Sequence, residues 1–390
     1  MKPFDFDKPT DRLGTDSYKW DVGTGELPMW VADMDFETPE QVKRAVVSRA
    51  EHGIYGYSTT PDELFEAYSA HWERRYGAKL PTEWMVYSNG VVAAISSMVR
   101  RLTHPAESVL IQAPVYNIFY NSVLNNGRRV LSSDLLLGED GYEIDFGDLE
   151  EKLSRPSTTL MILCNPHNPV GRIWSREELC RIGELCKKHG VTVISDEVHC
   201  ALTAPGKLYT PFAAASDTCA QISVSCLAAS KTYNLAGLQS AVLVIRDPAL
   251  RYRVWRGINN DEVGEPNCFS VRANIAALNE CDGWVDALCE YVFANKAFAR
   301  EYINGRINGL NAIPSEATYL LWVDISAVCP DSVKFCEELR ESTGLILSDG
   351  AEYGECARGF VRINLATQRA RVEDGLSRLS RFVDGILKSK

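Results

Sequence analysis

Five short apolar runs, at 108–111, 159–163, 191–194, 222–224 and 241–245, punctuate the middle of the chain, with helical patterns between them. Uninterrupted runs of Val, Ile and Leu suit strands covered on both faces, and strands separated by crossover-length helical stretches assemble into parallel sheets. The expected fold class is therefore α/β, with a largely parallel sheet. Between the second and third runs, Ser175 and Glu178 have the form of a capping box, and Ile182, Leu185 and Cys186 follow at helical spacing. A crossover helix is expected to start there and return the chain to Val191. Past about Cys281 the pattern becomes helix-rich, and strands are expected at 318–324 and 359–365. A smaller α+β domain fits this part. The expected division is 1–47 as an N-terminal arm and part of the small domain, 48–284 as the large domain, and 285–390 as the C-terminal small domain. A chain of 390 residues is long enough for both.

Three polar signatures follow strand candidates in order. The first is the loop 165–171, with Asn165, Pro166, His167, Asn168, Pro169 and Gly171; the second is 195–199, with Asp196, Glu197 and His199; the third is 229–234, with Ser230 and Lys231. In open α/β sheets, ligands gather where the strands end. Alone, Lys231 reads as a solvated lysine, Asp196 as a turn residue and 165–171 as a rigid loop without chemistry. Together they offer an amine for a Schiff base, a carboxylate to keep a pyridine nitrogen protonated, and a neutral amide for a phenolate oxygen, which is the requirement of pyridoxal phosphate (PLP). A lysine buried near cations or apolar walls has a lowered pKa, which frees its amine to attack an aldehyde. Glu197 competes with Asp196, but adjacent residues at a strand end face opposite ways, and Asp196 is the choice. His199 is either a hydrogen-bonded core histidine or a support for the site. A short strand ending near Ser88 runs into a helix, whose first amides lack internal partners and can hold a phosphate. Tyr116 offers a flat ring for stacking.

The net charge of −11, without a dense Lys/Arg block, gives no basic surface for nucleic acid. The N-terminal stretch 1–7 is acidic and lacks a signal peptide's apolar run, and no apolar run reaches membrane-spanning length, so a soluble, cytoplasmic protein is expected. Twelve cysteines are scattered without a Cys-x-x-Cys pair or a histidine grouping, so reduced thiols and no metal site are expected.

On the signatures around Asn168, Asp196 and Lys231, the chain resembles fold-type I PLP enzymes of the class I/II aminotransferase superfamily over nearly its whole length. Within that superfamily, 30–36, 52–57 and 195–199 resemble the cystathionine β-lyase group of MalY/PatB type. The resemblance implies a fold-type I PLP-dependent transferase fold, with a mainly parallel seven-stranded sheet between helices and a smaller α+β domain. It implies Lys231 as the Schiff-base lysine, Asp196 on the pyridinium nitrogen, Asn168 on the phenolate oxygen, and Tyr116 stacked on the ring and assisting catalysis. Gly90, Val91, Val92 and Ser230 would hold the phosphate, with His199 beside the cofactor and Tyr57 reaching in from the second subunit of a homodimer whose site lies at the interface. Arg362 would grip the substrate α-carboxylate through two parallel hydrogen bonds, with Asn168 and Asp33 completing the substrate site. The implied reaction is β-elimination from L-cystathionine or a related cysteine S-conjugate, giving a thiol (homocysteine), pyruvate and ammonia. The alternatives are an aminotransferase, or a non-catalytic ligand-binding or regulatory protein on the same scaffold. Two positions depart from the aminotransferase pattern: Gln239 and Ala228 stand where a phosphate-binding cation and serine are common.

Overall fold

The computed structural model describes residues 4–389; Met1, Lys2, Pro3 and Lys390 lie outside it, so the acidic N-terminal stretch is described only from Phe4. The large sheet contains β1 (Met85–Ser88), β2 (Ser108–Ile111), β3 (Arg129–Ser132), β4 (Thr158–Cys164), β5 (Thr192–Asp196), β6 (Ser223–Leu227) and β7 (Ala241–Val244). Their spatial order is β1-β7-β6-β5-β4-β2-β3. β7 runs antiparallel to both neighbours, and the remaining pairs are parallel. This is the seven-stranded, mainly parallel sheet that the resemblance implies.

The run at 222–224 is displaced. Ile222 ends a short helix, Asp217–Ile222, whose N-cap Ser216 accepts a bond from the Cys219 amide, and the strand begins only at Ser223. No apolar run announces β3, because it is a sheet edge with exposed and half-buried residues. Helix α1 (Val91–Leu102) follows β1 and begins at Gly90. The crossover helix α2 (Arg176–Lys188) opens with both halves of the Ser175–Glu178 capping box formed, and it buries Leu179, Ile182 and Cys186.

The small domain is built on an antiparallel sheet of β8 (Asn311–Ala312), β9 (Leu320–Asp324), β10 (Ser348–Asp349) and β11 (Phe360–Asn364), in the order β8-β9-β11-β10. Its core takes Trp20, Leu27 and Met29 from the N-terminal arm alongside Leu321, Phe335 and Leu379. The 25-residue helix α3 (Asp282–Arg306) serves both cores: Trp284, Leu288 and Val292 pack with the large domain, and Ala299 and Ile303 with the small one. The 284/285 division therefore falls inside a continuous helix. Among the described residues no helix is long and apolar enough to cross a membrane.

Removing the α2 cap with Ser175→Ala should cost about 1 kcal/mol, because the Glu178 amide loses the side-chain oxygen that accepts from it, while the Glu178 carboxylate keeps the Ser175 amide. Urea denaturation should show a lower midpoint at unchanged slope. Ser175→Asp, which keeps a capping oxygen, should hold the wild-type midpoint.

Candidate active site

The parallel register places Cys164, Asp196 and Cys226 side by side at the ends of β4, β5 and β6. The loop carrying Asn168, the carboxylate of Asp196 and the turn carrying Lys231 therefore converge. Asp196 is buried, and its Oδ1 accepts the Val198 amide at 3.2 Å. Desolvation pushes its pKa up to about 6, against the pull of the Val198 N–H and the Lys231 charge. Glu197 turns to the other face of the sheet, where its carboxylate accepts the Tyr209 hydroxyl and the Phe212 amide.

Lys231 donates from Nζ to the Ala32 carbonyl at 2.7 Å, and the Tyr319 hydroxyl donates to the same oxygen at 2.8 Å. Desolvation lowers the amine to about 8; Arg362 pushes the same way, while Asp33 and Asp196 oppose it. Arg362 projects from β11 and is 4% exposed. Its Nη1 donates to Asn168 Oδ1 at 3.1 Å, its Nη2 to the Trp30 carbonyl at 2.9 Å, and the guanidinium lies 4.9 Å over the Tyr353 ring. Its buried Nε has no partner among the described residues.

Tyr116 packs edge-to-face on Phe119 at 5.7 Å. Its hydroxyl is pushed up to about 12 by desolvation and then by the Asp196 charge, so it keeps its proton. His199 is buried edge-on to Tyr319 at 5.8 Å, with Nδ1 unpaired. Desolvation, followed by the charges of Lys231, Arg362 and Lys296, holds it well below the usual histidine range, so the ring is neutral.

Gly90 precedes α1 at φ +93°, a backbone region that favours glycine, and delivers the chain into a helix whose first amides lack intrahelical partners. Val91 is buried, while Val92 is exposed. The backbone of Gln239, left-handed at φ +46°, passes 3.9 Å from where a Cβ on Gly90 would sit, and its side chain is exposed. Ala228 is buried and Ser230 half-buried on the same turn.

Tyr57 stands fully exposed on an extended segment, lining a surface cavity of about 880 Å³ with Tyr87, Trp255 and Glu262. Asp33 is gripped by Arg12 through bonds of 3.0 and 2.7 Å, with Lys19 3.6 Å away. Among the described residues no grouping of His, Cys, Asp and Glu could hold a metal.

Sequence reasoning missed Tyr319, Asn364 and Lys296. Asn364 donates to the carbonyls of Val31 and Asp33 at 2.5 and 2.6 Å, and it lies two residues beyond Arg362 on the same strand face. Period-2 alternation from Arg362 was the available signal.

If Arg362 depresses Lys231, then Arg362→Met should raise the titration of the Lys231 amine above about 8 in cofactor-free protein. Reductive methylation with isotopic formaldehyde and NMR titration would follow it; an unmoved or lowered titration would refute the coupling.

The family described as aminotransferase class I and II matches residues 26–379. Cystathionine beta-lyase PatB of Bacillus subtilis is 43% identical over 381 residues, which cover 96% of this chain and 98% of that protein. Cystalysin from Treponema denticola, solved with a pyridoxal 5'-phosphate cofactor, superposes with a TM-score of 0.94 at 28% identity, covering 98% of this chain and 99% of that one. The PLP-bound C-S lyase from Staphylococcus hominis gives a TM-score of 0.91 at 32% identity, covering 97% and 99%.

Proposed function

Because the chain belongs to the aminotransferase class I and II family, we propose that it is a PLP-dependent carbon–sulfur lyase. It cleaves the Cβ–S bond of L-cystathionine or a related cysteine S-conjugate and, with one water, yields a thiol, pyruvate and ammonia; from cystathionine the thiol is homocysteine. The observation that carries this reading is one cleft that holds a low-pKa amine, a buried carboxylate and a buried guanidinium, in a chain 43% identical to a cystathionine beta-lyase.

The residues fit PLP. The Arg362 Nε and His199 Nδ1 are buried without partners, Asp196 is an acid in need of a compensating cation, and Gly90 opens a helix N-terminus. When bound, PLP supplies a covalent link to the substrate amine and a sink for the electron pair left at Cα. Lys231 would hold the cofactor through its amine, and the same amine, whose Nζ donates to the Ala32 carbonyl, is the group that would take and hold the Cα proton. Asp196 keeps a negative charge at the ring nitrogen, which favours protonation there. Asn168 turns Oδ1 to Arg362, which leaves its NH2 as the donor for the phenolate oxygen. Arg362 binds the substrate α-carboxylate, with Asn168 and Asp33 nearby, and Tyr116 and His199 wall the ring. The amides of Gly90, Val91 and Val92, with Ser230, hold the phosphate. The exposed Tyr57 reaches the corresponding site of a second copy in a cytoplasmic homodimer, within the arm, large-domain and small-domain division set out above.

Incubating the holoenzyme with cystathionine should release equal amounts of thiol and pyruvate. Amino-group exchange with a keto acid in place of release would assign it as an aminotransferase, and bound ligand with neither outcome would assign a binding protein. Lys231→Ala should lower release by roughly 10²–10⁴-fold, the usual span for a positioned proton-transfer group. Asp196→Asn should retain PLP yet lose most turnover; unchanged kinetics would show that the carboxylate is misassigned.

A further inference from the structure

Lys296 lies on the buried stripe of α3, in step with Leu288, Val292, Ala299 and Ile303, and is 4% exposed. Among the described residues no carboxylate pairs with it. Its ammonium instead gathers three oxygens: Ser315 Oγ at 2.7 Å, the Ala317 carbonyl at 2.8 Å and the Thr318 carbonyl at 2.9 Å. The Phe293 ring lies 4.8 Å beneath the nitrogen. Burying an amine this way is costly, and desolvation lowers it to about 7.

The gathered loop is the joint from which two cofactor-facing segments hang. The amides of Glu316 and Ala317 both donate to the Gly171 carbonyl, at 2.8 and 2.9 Å, and Gly171 ends the loop that carries Asn168. The Thr318 amide donates to the Leu202 carbonyl at 2.7 Å, and the Ala204 amide donates to the Glu316 carbonyl at 2.7 Å, which fixes the turn that carries His199. Fit at this joint is close: a Cβ on Gly171 would fall 1.8 Å from Ser315 Oγ. Thr318 itself sits at φ +62°, an unfavourable region for a β-branched residue that persists only where its surroundings over-determine it. The next residue, Tyr319, delivers its hydroxyl to the carbonyl that also receives Lys231.

We propose that Lys296 is a positioning residue for the lyase reaction: its ammonium tethers the 315–318 loop and, through it, sets Asn168, His199 and Tyr319 against Lys231. Reactivity depends on this placement, because a misplacement of about 1 Å at a reacting centre can lower turnover by about a hundredfold. The catalytic part of the proposal rests on the function argued above; the tether does not.

The test uses the holoenzyme with Lys296→Met, which keeps the volume and removes the donors, and Ser315→Ala, which removes one acceptor and spares the lysine. Amide hydrogen exchange is read by peptide alongside kcat and KM for cystathionine. Lys296→Met should speed exchange in segments 165–171, 199–204 and 315–318 while the strands of the large sheet stay at wild-type rates, and kcat should fall roughly tenfold with KM little changed. Ser315→Ala should give a smaller change in the same three segments. Wild-type exchange in those segments, or faster exchange spread evenly over the chain, would overturn the proposal. If Lys296→Met does not fold, wild-type exchange in Ser315→Ala would overturn it. Wild-type protein inert toward cystathionine but with the local exchange pattern would instead sink the lyase reading and leave the tether standing.

Discussion

The site depends on a carboxylate that takes no part in it. Asp35 is 2% exposed, and desolvation alone would raise its pKa; the Lys19 charge and the bonds from Trp20 and Arg12 outweigh that and hold it below the usual range. The bonds are close, at 3.1, 2.8 and 2.9 Å respectively. An uncompensated charge at this depth would cost several kcal/mol, so the strand of chain bearing Asp35 has one position in which the arm can pack. That strand is 30–36, and its carbonyls serve as acceptors for the site. Trp30 O takes Arg362, Ala32 O takes Lys231 and Tyr319, and Val31 O and Asp33 O take Asn364. Farther along, Asn234 of the large domain bonds both Met34 and Phe36. The arm thus joins β11, which carries Arg362, to the turn after β6, which carries Lys231.

The same geometry explains the balance of charge. Asp196 lies between two cysteines in register, and the Val198 amide and the Lys231 charge are what favour its ionised form against burial. Lys231 lies under the field of Arg362 in a desolvated cleft. The raised acid and the lowered amine each bond to backbone, Asp196 to the Val198 amide and Lys231 to the Ala32 carbonyl.

Much of this was legible in the chain, and the gaps have physical causes. Buried parallel strands lack a polar face, so β2, β4, β5 and β7 stand out as apolar runs; β3 does not, because an edge strand keeps polar residues. Loops that follow strands put Asn168, Asp196 and Lys231 at one end of the sheet by topology alone, and alternation separated Asp196 from Glu197. Pairings that cross between domains left no mark. Nothing local in 30–36 says that its backbone oxygens will be consumed by residues some 200 to 330 positions away. Lys296 carried a fainter signal, a cation in phase with an apolar stripe, which a helix on one domain's surface would have kept outside. Because α3 is shared by two cores, that stripe is buried along the whole helix.

Gln239 and Ala228 show how a phosphate could be held without a cation. Gln239 adopts a left-handed backbone conformation over Gly90, and this turn sends its side chain outward while its backbone closes the cradle. A long cationic side chain at 239 would start from the same outward direction. Charge must then be met by α1, whose aligned peptides place roughly half a positive charge at the N-terminus. In the proposed phosphate site the first-turn amides would be the direct donors, and Ser230 would add a hydroxyl. The proposed cradle would bind through geometry more than through net charge, so its grip would depend on Gly90 keeping its φ of +93°, which any side chain there would resist.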